Sequence, residues 1–190
     1  MNSCLSMKRY IHILVGIICM ATLTTLSGCR RWGMCKDETL PVTRQAYVGN
    51  KLRLDGFYYG DPGTDYKGVT RYNIFVLYAN GVVCFPGCTE LSNLEPYVSS
   101  LADGVALRSS KSCWGAFQIQ DTTLSIGGWQ PSNCSYPSVC YSGTIVNDTT
   151  FILTKTETRS GDMNGTKETN ITYNFRHFTA KPDSTNDYVQ

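Results

Sequence analysis

The chain has 190 residues, 42% of them hydrophobic and 17% charged, with a formal net charge of +2. That length supports one domain with a real core, and that composition excludes a disordered chain. Basic residues are scattered rather than gathered in a stripe, so nothing points to nucleic acid.

The first segment reads as a targeting signal. Lys8 and Arg9 precede the apolar run IHILVGIICMATL, the proportions of a secretory signal peptide. A membrane-spanning helix needs about 20 apolar residues, and the Thr/Ser/Gly-rich end cuts this run short. The run closes on Leu26-Ser27-Gly28-Cys29, which resembles the lipobox of bacterial lipoproteins. That resemblance implies cleavage before Cys29, a diacylglycerol thioether on its thiol and acylation of the new amine. Acyl chains contribute about 0.8 kcal/mol per buried methylene, so several of them anchor a protein stably. The expected organisation is a signal peptide over 1–28, a lipidated cysteine and tether over 29–50, and a folded domain over 51–190. With Lys8 and Arg9 removed, 15 basic residues face 15 acidic ones and the mature chain is near neutral. Arg30 stands where an aspartate is associated with inner-membrane retention, and no acidic run resembling a surface-export signal follows. The expected location is therefore the outer membrane, facing the periplasm.

Of nine cysteines, Cys4 and Cys19 fall in the signal and Cys29 at the anchor. Cys35, Cys84, Cys88, Cys113, Cys134 and Cys140 remain, an even number that reads as up to three disulfides in an exported chain. Cys84/Cys88 and Cys134/Cys140 are spaced to staple local loops, leaving Cys35 for Cys113. A thiolate zinc site at CFPGC is the rival reading.

From Lys51 the pattern is strand after strand. KLRLDGFYY alternates, with Leu52 and Leu54 on one face, up to a break at Gly56. RYNIFVLYANGVVCF carries Asn80-Gly81, a two-residue hairpin signal. Its first strand is apolar on both faces and should be covered on both. A helix is expected over NLEPYVSSLADG, capped by Asn93 and stopped at Gly104. CWGAFQIQ and TLSIGGW flank a turn at Asp121-Thr122, and SGTIVN and TTFILTKTE flank Asp148. TNITYNFRHF alternates strictly, with Ile171, Tyr173, Phe175 and His177 on one face. About eight sequential antiparallel strands with one helix between the third and fourth predict an all-β fold. An up-and-down or partly open barrel leads, because closure removes the exposed edges; a β-sandwich is the alternative.

The segments KLRLDGFYYG, IFVLYANGVV, WGAFQIQDTTLSI, GTIVNDTTFIL and YNFRHFTAKPDSTNDYV together resemble the small lipocalin-like lipoproteins of Bacteroidota. The resemblance implies a compact lipocalin-like barrel on the cell envelope. The Gly-x-Trp motif of true lipocalins is missing from the first strand, which has Gly56-Phe57-Tyr58.

No catalytic, phosphate-binding or nucleophile-elbow motif is present, and no cofactor or metal is expected. The mature chain has one histidine, His177, and Glu90, Glu95, Glu157 and Glu168 sit in no recognisable arrangement. The reading is therefore binding rather than catalysis. Tyr58, Tyr72, Trp114, Trp129 and Tyr173 are the candidate pocket residues, whose rings either line a cavity for a small apolar or amphipathic ligand or fill a solid core. In the second case the protein acts through its outer surface, as an interaction or inhibitor module whose protein partner the sequence does not name.

Overall fold

The computed structural model describes residues 37–61, 63–133, 135–160 and 163–190. The expected signal peptide, Cys29, Cys35 and Cys134 lie outside these residues. Eight strands succeed one another around a closed antiparallel barrel. They are β1 Gly56–Gly60, β2 Tyr72–Leu77, β3 Val82–Thr89, β4 Trp114–Gln120, β5 Thr123–Trp129, β6 Ser138–Asn147, β7 Thr150–Ser160 and β8 Met163–His177. The ring closes through β1 against β8, with Tyr58 opposite Phe175. The expected barrel is the fold.

The helical stretch falls between β3 and β4, as expected, but as two short pieces: α1 Leu94–Ser99 and α2 Val105–Arg108. Asn93 makes no side-chain cap; its amide donates to Thr89 Oγ1 at 3.1 Å instead. Gly104 does not end the helical stretch. At φ +66° it turns the chain into α2, a conformation that suits glycine.

Because side chains alternate across a strand, the barrel has two apolar faces. One buried cluster takes a member from every strand, among them Tyr58, Phe75, Phe117, Leu124, Phe151 and Tyr173. Only the barrel interior can collect residues from all eight strands. The other cluster lies outside β1–β4, where Phe57, Ile74, Val76, Cys84 and Trp114 are covered by Leu94 and Val98 of α1, Leu107 of α2, Val42 and Val189. Strand β2 is thus covered on both sides, as its sequence requires. Trp114 is fully buried, and its indole N–H donates to the Leu107 carbonyl at 2.7 Å.

Four boundaries differ from expectation, each for a local reason. Strand β1 begins at Gly56, where a break was expected, because the backbone passes so close to β8 that a Cβ there would sit 2.0 Å from the Arg176 carbonyl oxygen. Leu52 belongs to no strand; it is buried against the interior cluster and helps close the end of the barrel where β1 starts. Asn80-Gly81 does not make a two-residue hairpin. The Gly81 N–H donates to the Tyr78 carbonyl at 2.9 Å and Gly81 sits at φ +81°, a turn followed by a left-handed glycine. Residues 37–50, expected as part of a tether, are laid along the barrel: Trp129 donates to the Glu38 carbonyl at 2.8 Å and Gln118 to that of Thr43 at 2.9 Å.

The KPDSTN tail closes the outer layer. Tyr78 donates its hydroxyl to the Pro182 carbonyl at 2.7 Å, Asn80 its amide to Ser184 at 3.0 Å, and Arg108 pairs with Asp183 at 3.1 Å. Val189, 5% exposed, completes the cluster. Burying a side chain such as Val contributes about 1.5–3 kcal/mol, and a buried tyrosine hydroxyl stripped of its acceptor costs about 1–3 kcal/mol more. Deleting residues 182–190 is therefore expected to lower the urea midpoint sharply, whereas deleting Gln190 alone leaves it unchanged; equilibrium unfolding followed by tryptophan fluorescence checks both.

Candidate functional site

The site forms where two neighbouring strands part. Only Val82, Val83 and Cys84 of β3 face partners on β4, while β3 continues to Thr89 beside β2. Ile74 pairs with Gly87 and Val76 with Cys84, so Phe85 and Pro86 bulge opposite Phe75. A bulge is one of the few places in a sheet where proline's missing N–H costs nothing. The bulge turns the Phe85 ring onto Phe75, edge-on at 5.4 Å.

Behind this opening lies a cavity of about 400 Å³, within the range of small-molecule sites. Phe75, Phe85, Tyr141, Leu153 and Tyr173 form its apolar wall. Phe75 and Phe151 stack on Tyr173 at 4.7 and 5.1 Å, with planes 17° and 11° apart. Two hydroxyls reach the space, each with a partner: Tyr173 with Asn73 and Tyr141 with Gln130. Burial pushes both tyrosines' pKa up, so they act as neutral donors and acceptors at any physiological pH.

Of the five candidate pocket residues, Trp129 and Tyr173 line this cavity. The other three sit elsewhere. Tyr58 seals the closed end, donating to the Arg53 and Asp148 carbonyls at 3.1 and 2.9 Å. Tyr72 and Trp114 belong to the outer layer, Tyr72 packed edge-on against Tyr59 at 5.9 Å. Strand parity puts Tyr72 on the face opposite Phe75, since residues an odd number apart on a strand face opposite ways; Trp129, three residues from inward Ile126, is likewise a member of the outer cluster and also borders the cavity. Phe75, Phe85 and Tyr141 were not picked out from the sequence, although the two-sided apolar character of β2 marks Phe75 as an inward residue.

Cys88 and Cys113 stand on the cavity lining, on either side of the parted strands. Cys84 is fully buried in the outer cluster, and burial pushes its thiol pKa up. Cys140 flanks a separate shallow hollow with Ser138 and Ser142. These four thiols are unbridged in the structure; the remaining two disulfide candidates, Cys35 and Cys134, lie outside the described residues. Among the described residues, no group of three or more His, Cys, Asp or Glu is arranged to hold a metal ion. His177 sits at the exposed end of β8, its Nε2 3.6 Å from Asp55, away from the cavity. Glu95, Glu90 and Glu157 pair with Arg176, Arg71 and Lys155 at 3.5, 4.0 and 3.0 Å.

Comparison with known protein families, with curated proteins and with solved structures gave no match to this chain. The fold, an eight-stranded antiparallel barrel with short helices between its third and fourth strands, is what the structure establishes.

The thiols differ enough to be told apart chemically. Because the thiolate is the reactive form and Cys84 is both buried and raised in pKa, brief treatment of the native protein with iodoacetamide should modify Cys88 first and leave Cys84 untouched until the chain is unfolded. Peptide mass spectrometry checks this; resistance of both Cys84 and Cys88 after unfolding without reductant would reveal a bridge between them.

Proposed function

We propose that the protein is a lipocalin-like binding protein of the bacterial envelope, not an enzyme, that carries a small apolar or amphipathic molecule in the barrel and is held to the outer membrane by lipid on Cys29. The observation that carries this reading is the open cavity. Eight strands enclose an interior that side chains can fill completely, and at the closed end they do so. At the other end the parted strands and the β3 bulge leave about 400 Å³ walled by stacked rings. A solid module acting through its surface has no need of that space. The resemblance of the strand segments and the KPDSTN tail to lipocalin-like lipoproteins of Bacteroidota supports the same class, and LSGC supports the anchor.

The neutral fluorophore N-phenyl-1-naphthylamine tests the cavity. Its emission should rise on mixing with the protein, and Ile171→Trp, which fills space at the cavity wall, should weaken its binding at least about tenfold while circular dichroism stays unchanged. A probe that never binds would return the reading to the solid module. The anchor is tested separately by metabolic labelling with an alkynyl fatty acid: the full chain should be labelled, and Cys29→Ser should carry no label and leave the membrane fraction.

A further inference from the structure

The hairpin β7–β8 is longer than the barrel needs. Strand β1 ends with Gly60 opposite Tyr173, yet β8 reaches back to Met163 with β7 as its partner. The surplus stands over the open end of the cavity. What it presents is decided by one residue. Within the barrel, Phe151, Leu153, Ile171 and Tyr173 face inward. At Thr154 the register shifts against both neighbours: Leu153 pairs with Gly143 and Ile171, but Lys155 with Ser142 and Glu168. The bulge reverses the alternation of everything beyond it. Without it, Lys155, Glu157 and Arg159 would point over the cavity. With it, Thr156 and Thr158 do, opposite Lys167 and Gly165 on β8.

The resulting hollow, also about 400 Å³, is lined by Thr156, Thr158, Thr166, Lys167 and Thr169. It shares Gln130, Thr156, Thr169 and Ile171 with the aromatic cavity, so the two form one continuous trough, apolar at one end and polar at the other. Among the described residues no carboxylate lines the polar end, and the one cation there, Lys167, is exposed. Glu157 and Arg159 line a hollow on the opposite face of the sheet. Threonine hydroxyls and the Gln130 amide each donate and accept, which matches a head that does the same. A charged head would call for converging cations.

We infer that the ligand is an amphiphile with a neutral, polyhydroxylated head of glycoside type, laid along the threonine face of β7–β8 while its apolar part fills the cavity. This rests on the binding role proposed above, and the test separates the two. Octyl glucoside, 1-octanol and octyl sulfate, each below its micellar concentration, compete for bound N-phenyl-1-naphthylamine. Octyl glucoside should displace the probe at about one-tenth the concentration of octanol. The Thr158→Val/Thr166→Val variant, at two residues that line the polar hollow and not the aromatic cavity and which keeps β-branched residues in the sheet, should erase that preference, the loss of about two net hydrogen bonds, and leave the probe's own affinity unchanged. Octyl glucoside no better than octanol overturns the inference with the cavity still occupied by probe. So does a preference for octyl sulfate that Lys167→Gln removes, since the head would then be an anion. Failure of the probe itself to bind overturns the underlying binding role, and this inference with it.

Discussion

The burial of Trp114 beneath α1, α2 and the segments that carry Val42 and Val189 is the constraint on which the rest of the structure depends. A small barrel ordinarily draws its stability from a filled interior, and an open cavity forfeits the contacts that filling would supply. Here a second core lies outside β1–β4, built from Phe57, Ile74, Val76 and Trp114 under Leu94, Val98, Leu107, Val42 and Val189. Strands apolar on both faces gain burial twice over the same backbone. That outer layer carries stability the interior does not have to supply, and the space between the parted strands can stay open.

Much of this was legible in the residues. Apolar residues on both faces of YNIFVL told of a strand covered on both sides, Asp121-Thr122 and Asp148 marked their turns, and NLEPYVSSLADG marked the helical crossover. What the sequence could not carry was the parity of the second half of a strand beyond a bulge. TFILTKTETRS reads as a simple alternation, yet Thr154 breaks the count, and Pro86 does the same in β3. A bulge is a pairing event between two strands, so a single strand's pattern does not contain it.

The same limit explains the uneven fate of the candidate pocket residues. Tyr173 stands in the interior and lines the cavity, Trp129 borders the cavity while packed in the outer core, and Tyr72 and Trp114 serve the outer core alone. All of them are large aromatic residues on strands; which side each serves depends on register with neighbours distant in sequence. The stretch 37–50 was similarly opaque. Its polar, aperiodic composition reads as a tether, and its docking is made by backbone carbonyls, such as those of Glu38 and Thr43 accepting from Trp129 and Gln118. Backbone acceptors are present in every sequence and leave no mark on composition.

The docked segment also sets a direction. Asp37 is fastened at the mouth, to Lys111 at 2.7 Å and to the Tyr136 N–H at 3.0 Å, and Lys111 in turn lies over the Trp129 ring at 4.6 Å. From there the chain runs down the barrel wall to close the far end. The first described residues are thus pinned beside the cavity's opening, and the brace from Asp37 through Lys111 to Trp129 ties the start of the outer layer to the rim of the binding space. Loosening that one ion pair would slacken the wall and the doorway together.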